Sequence, residues 1–235
     1  MKDRHAYARE RPSVSKLWPD KGRLVGPTSD GRARRGLATR LALLDAGRRL
    51  FVRRGLEVTV DEIVAAAKIA KGSFYNHFSS KEDLFEEVLR HTMGALNEVA
   101  VAKVAGVNDP VEAIVVGLHC STRLLLDDED ACRLFLQSRG TPALEMLATE
   151  YDDGLLEALR WGIEAEIFRQ TDPGLLLAMY HATCRASTSW LLLSGKSKGI
   201  GSDAGADLVV ELVLGVLGVA GGAAKAYLRL ARTRR

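Results

Sequence analysis

The 235-residue sequence predicts an all-α protein, a three-helix amino-terminal domain followed by a second helical domain of about six helices. Three observations carry that prediction. From Thr39 onward apolar residues recur at helical spacing. Three later helical patterns open with a proline, Pro110, Pro142 and Pro173, the residue whose fixed φ suits a first helical position. No segment alternates apolar and polar residues for long, and no Asn-Gly or Asp-Gly pair lies between apolar runs to turn a hairpin.

Residues 1–36 read as a flexible basic extension. They hold Pro12, Pro19 and Pro27 without a sustained apolar period. The first 35 residues carry ten Lys or Arg against four acids, while the chain as a whole is only +3. Such an arm suits a polyanionic partner, although solvated tails share this composition. Helix one is marked by Leu43, Ala46, Leu50 and Phe51, on one stripe, with Gly55 as its stop. Thr59 stands three residues before Glu62, the spacing of a reciprocal cap, and predicts a helix from Val60 to about Ala67. After a break at Lys68–Ala70 comes a short helix, Lys71–Phe78, in which Phe74 and Phe78 share a buried face. Ser80 then opens a longer helix with Lys81, Glu82 and Asp83 in its first turn and Leu84, Phe85 and Val88 as its stripe. Beyond Gly106 the patterns are Pro110–Leu126, Asp130–Ser138, Pro142 to about Phe168, Pro173–Leu193 and Asp207 to about Leu230.

Composition excludes several classes. Apolar residues are 47% and charged residues 27%, as in an ordinary soluble globular chain. The longest uncharged apolar stretch, Leu212–Ala224, is too short to span a bilayer, so no membrane partner is expected. Cys120, Cys132 and Cys184 match no metal or redox spacing and suit a reducing interior. With no apolar segment following the basic start, the expected location is the cytoplasm. No metal or other cofactor is expected; His181 and Cys184 share a helix face but lack companion ligands. No catalytic group is expected either, since His119 and Cys120 point about 100° apart on a helix.

The segment Thr59–Phe85 contains the chemistry. Two short helices joined by a three-residue turn are the parts of a helix-turn-helix, whose second helix enters the major groove of double-stranded DNA. Lys71 suits a phosphate or guanine, Gly72 lets backbone approach the duplex, and Ser73 and Asn76 can read base edges. Tyr75 and Lys81 suit phosphates, and Thr59 and His77 complete the candidate face. Arg32, Arg34 and Arg35, just before helix one, are placed to reach a minor groove or phosphates, with a solvated linker as the alternative.

These residues resemble the amino-terminal domain of TetR-type transcriptional regulators: Phe51, Gly55, Thr59, Ile63, Ala66, Lys71, Gly72, Tyr75, Phe78, Ser80, Lys81 and Leu84 stand in that family's pattern. The resemblance covers about 50 residues. It implies a DNA-binding domain at 37–90, a ligand-binding and dimerisation domain at 91–235, a homodimer, and a small-molecule effector. The function implied is a repressor, released by its ligand, acting on a palindromic operator; the alternative is a helical carrier or enzyme whose reading head is unused. Two positions depart from the pattern. Lys68 stands where Gly is common, at a cost of about 1 kcal/mol if left-handed. Ala70 stands where Ser or Thr caps the recognition helix, a loss of about 0.5–2 kcal/mol.

The effector candidates are His119, Phe135, Met146, Tyr151, Trp161, Tyr180, His181 and Trp190, bulky or polar-tipped groups on predicted helices. The acidic run Asp127–Asp130 is expected to cap the next helix. Gly215, Gly218 and Gly222, at i, i+3 and i+7, give the last helix a bare face that suggests a subunit interface, an intramolecular helix contact being the alternative.

Overall fold

A computed structural model describes residues 31–138, 141, 152–195, 199–219 and 221–233. Ten α-helices and no strand occur among them. They are α1 (Gly31–Arg54), α2 (Val60–Ala67), α3 (Lys71–Tyr75), α4 (Lys81–Val104), α5 (Pro110–Asp127), α6 (Glu129–Gln137), α7 (Asp152–Glu164), α8 (Pro173–Trp190), α9 (Ser202–Leu217) and α10 (Gly221–Thr233). The chain divides into two compact units.

The first unit, here the head, spans described residues 31–98 together with the segment that carries α6. Its core joins Leu43 and Phe51 of α1, Ile63 of α2, Phe74, Phe78, and Leu84, Phe85, Val88 and Leu89 of α4. The stripe expected on helix one is thus buried, Leu50 only partly. Phe51 meets Phe85 edge to face at 5.2 Å, a preferred aromatic geometry. A Cβ on Gly47 would stand 2.9 Å from Leu84, so this glycine sets how closely α1 approaches α4. Helix α1 begins at Gly31, inside the stretch read as an extension.

Helix α6 completes the head. Leu134 is fully buried in the same core, the Gln137 amide donates to the Val52 carbonyl at 3.3 Å, and Arg48 pairs with Asp130. As the acidic run suggested, Asp128 caps α6 by accepting from the Ala131 amide.

The second unit, residues 99–124 and the described residues from 152 onward, is cored by valines of α5, Leu155 and Leu159 of α7, Leu176 of α8, and Val210, Val213, Leu214 and Leu217 of α9. Helix α7 ends with the Ile167 and Phe168 amides both donating to the Gly162 carbonyl. Asp172 and Pro173 start α8, the carboxylate accepting from the Leu175 amide.

The single helix expected from Asp207 to Leu230 is two. Gly218 adopts φ 84°, ψ 17°, the left-handed conformation that only glycine enters without penalty, and its amide caps α9. A Cβ there would also press on Arg169, whose amide donates to the Leu217 carbonyl at 2.7 Å. Gly215, Gly218 and Gly222 therefore do not form one bare helical face; the periodicity was continuous but the backbone is not. Gly218 has an intramolecular task, as helix stop.

Candidate nucleic-acid interface

The site is built from the turn outward. Thr59 and Glu62 form the reciprocal cap: the Glu62 amide donates to the Thr59 hydroxyl oxygen, and the Thr59 amide donates to the Glu62 carboxylate at 2.8 Å. That amide, joined by the Arg54 guanidinium at 2.5 Å, holds the Glu62 carboxyl down at about 2. The Thr59 hydroxyl is therefore engaged in starting α2. Lys68 sits at φ 58°, ψ 43°, the left-handed strain its position implied, and closes α2 with its own amide. Ala70 starts α3 without a side-chain cap.

Helix α3 is anchored from behind. Phe74 is fully buried and Phe78 nearly so, their rings 5.8 Å apart. Their burial turns the opposite side outward: Lys71, Gly72, Tyr75 and Asn76 are exposed, and Ser73 and His77 half-exposed. Tyr75, 54% exposed, is a large ring that the protein's own packing does not use. A Cβ built on Gly72 meets nothing within 4 Å, so no internal contact asks for glycine at this position.

Two lysines are less free than their sequence positions suggested. Lys71 pairs with Asp61 at 2.8 Å, and this hydrogen bond raises its pKa and keeps it charged. Lys81 donates to the Leu56 carbonyl at 2.5 Å and so ties the start of α4 to the turn after α1. Ser80 caps α4 through the Asp83 amide, as expected, and Asp83 in return accepts from the Ser79 amide at 2.8 Å.

Arg40 escaped the sequence reading. It donates to the His77 carbonyl at 3.2 Å and to Glu87 at 2.9 Å, and its guanidinium stacks over the Phe78 ring at 4.6 Å. One side chain of α1 thus fixes the end of α3 against α4. No local pattern announces it, because its partners lie 37 and 47 residues away. Asp61 was missed for the same reason. Arg35 is exposed on the first turn of α1, while the side chains of Arg32 and Arg34 lie outside the described residues.

The effector candidates do not come together as one group. Met146 and Tyr151 lie outside the described residues. Phe135 is half-buried on α6, in the head. Trp190 is 42% exposed at the end of α8. His119 is buried on α5 with its Nε2 3.2 Å from Asp207, a carboxylate that Arg232 also grips with two nitrogens. Trp161 and Tyr180 are half-buried against the second unit's core, with the His181 ring edge-on to Tyr180 at 5.5 Å. Among the described residues no group of three or more His, Cys, Asp or Glu is arranged to hold a metal, and no helix is long and apolar enough to cross a membrane.

Residues 43–88, the helices just described, match the sequence profile of the bacterial regulatory proteins of the TetR family. Over 174 residues the chain is 29% identical to the HTH-type transcriptional repressor KstR2 of Rhodococcus jostii (strain RHA1), covering 70% of this chain and 84% of that protein. Residues 43–88 are a TetR-family DNA-binding domain. A second relative, the HTH-type transcriptional repressor DhaR of Mycobacterium sp. (strain GP1), is 34% identical over 82 residues, 31% of this chain and 41% of DhaR. The fold extends to solved structures: RolR in complex with the ligand resorcinol superposes with a TM-score of 0.62 at 24% identity, covering 84% of this chain and 96% of RolR. The matched domain and these relatives support a DNA-binding transcriptional regulator, with α2 and α3 as its helix-turn-helix.

Proposed function

We propose that this TetR-family chain is a homodimeric repressor that binds a palindromic operator through α3 and leaves it when a small molecule occupies the second unit. The observation that carries DNA reading by α3 is the division of residues 71–78, the helix and the turn after it, into a buried aromatic side, Phe74 and Phe78, and an outward side, Lys71, Gly72, Ser73, Tyr75 and Asn76. Asn76 and Ser73 suit base edges; Lys71, Tyr75 and the α1 start at Arg35 suit phosphates. A carrier with an unused head has no need of an exposed tyrosine or of a glycine that nothing inside the protein requires. No step of this reading involves catalysis.

A different surface from the glycine stripe supports the homodimer. On α8 the exposed residues Leu175, Ala178, Ala182, Ala186 and Trp190 follow one another at helical spacing, and Leu193 is 63% exposed in the turn that follows. On α9, which packs against α8, Ala204, Leu212 and Gly215 are exposed. An apolar face this long, with small residues between bulky ones, suits close packing against the same face of a second copy.

Release requires the effector to bind the DNA-incompetent state more tightly than the competent one. Selection of bound sequences from random DNA, followed by gel-shift titration, tests the reading. The expected product is an inverted repeat bound by two chains. Enrichment of no sequence rejects operator recognition, and a single half-site bound by one chain rejects the dimer.

A further inference from the structure

Lys71 and Asp61 come from different helices and meet on the outward surface of the head. Asp61 lies in the first turn of α2, Lys71 opens α3, and the ammonium donates to the carboxylate at 2.8 Å. The lysine side chain is 54% exposed and the aspartate 71%, and an ion pair so exposed adds little to folding. Nor does α2 depend on Asp61 to begin, because Thr59 and Glu62 form its reciprocal cap. Residues 71–78 contain no acid of their own. Asp61 therefore brings a carboxylate to a face that otherwise carries lysine, serine, tyrosine and asparagine.

Paired in this way, the two groups keep hydrogen-bonding capacity. A carboxylate accepts from several directions, and an ammonium has further N–H bonds to donate. Side by side they present an acceptor and a donor 2.8 Å apart. The major-groove edge of a C·G base pair offers the complement. The cytosine amine donates, guanine O6 accepts, and the bond that joins them sets their separation at about 2.9 Å. An A·T pair has a similar amine and carbonyl, but its neighbouring groups do not fit. Adenine N7 is an acceptor that repels the carboxylate, and the thymine methyl stands on the ammonium's side. Guanine places a second acceptor, N7, on that side instead. A phosphate is the poorer partner, because it has to approach the lysine with the negative charge of Asp61 already beside it.

We propose that Asp61 and Lys71 read one C·G base pair in each half-site as a unit, Asp61 accepting from the cytosine amine and Lys71 donating to guanine O6 and N7. The proposal rests on the reading of α3 as the helix that enters the major groove. It assigns Lys71 to a base rather than to the phosphate its charge alone suits, and it adds Asp61, from outside α3, as a specificity-determining residue.

Selection of bound sequences from random DNA, run in parallel on the full-length wild type, Asp61→Ala and Lys71→Ala, tests the pair. Gel-shift titration then compares all four base pairs at the position where the variants and the wild type differ. The wild type is expected to prefer C·G there by at least about fivefold. Both variants are expected to bring that preference within about twofold, at the same position, while keeping their preferences elsewhere in the half-site. A merely structural pair would instead weaken binding to every sequence alike. Lys71→Ala leaves the α2 cap untouched, so it carries the test even if Asp61→Ala folds poorly. Variants that flatten different positions, or a Lys71→Ala that lowers affinity uniformly and reduces its salt dependence as loss of a phosphate contact does, overturn the proposal. A wild type that enriches no sequence overturns operator reading itself, and the pair with it. An enriched half-site whose preferences both variants retain overturns the pair alone.

Discussion

Gly72 separates a residue kept for folding from one kept for a partner. It lies in the first turn of α3, and its φ is outside the left-handed region, so alanine fits the backbone. A Cβ there meets nothing within 4 Å, so alanine fits the packing as well. Helix propensity and the smaller entropy of the unfolded chain then favour alanine by about 0.5–1 kcal/mol. In a chain of this size that raises the melting temperature by roughly 1–4 °C. If the backbone at this position approaches the duplex, the same methyl group stands where a phosphate or sugar must pass. Operator affinity should then fall at least about tenfold, or ~1.4 kcal/mol. Gly94→Ala is the control: it too lies inside a helix with nothing within 4 Å, but on α4 away from the reading face, so it should be stabilising with DNA affinity unchanged. Circular-dichroism melting and gel-shift titration on the three proteins give both quantities. Gly72→Ala that binds the operator within about twofold of wild type would refute backbone approach, and a Gly72→Ala that melts lower would show a structural task that the open space denies.

Other consequences follow from the same geometry. The Glu62 carboxyl, held at about 2 against an ordinary 4.5, contributes stability that is complete above the ordinary value and is lost as pH falls toward 2; in urea titrations the gap between wild type and Glu62→Gln should close over that window. Leu134→Ala should destabilise the head by about 2–5 kcal/mol, since the side chain is fully buried in the head core, and hydrogen exchange in α1 and α4 should report it. Trp190→Glu combined with Leu193→Glu should yield monomers in sedimentation velocity, while Gly222→Leu, at a position with open space around it, should leave the dimer intact.

Local rules made much of the head legible. Leu43, Ala46 and Phe51 are buried as their spacing implies, the Thr59–Glu62 cap forms, and Lys68 takes the left-handed turn. Each of these depends on residues no more than eight apart, where helix geometry alone decides. Arg40 and Leu134 were not legible, because their roles exist only once α1, α3, α4 and α6 have come together. Gly218 failed for another reason: apolar periodicity runs through Val213–Val219 unbroken, and only the backbone angle shows that one glycine ends a helix rather than clears a face. In the second unit the sequence marked bulky residues without marking which of them pack on the core, so Tyr180 and Trp190 looked alike although one is partly buried against that core and the other is 42% exposed.

The placement of α6 ties a stretch distant in sequence to the reading helix. Asp128 fixes the start of α6 on the Ala131 amide. Helix α6 then enters the head core through Leu134 and holds the α1 carboxyl end through Gln137. Helix α1 also carries Arg40, the side chain that fixes the end of the reading helix. Within the head, a change that loosens α6 therefore reaches the reading helix through α1, without touching a residue of α3.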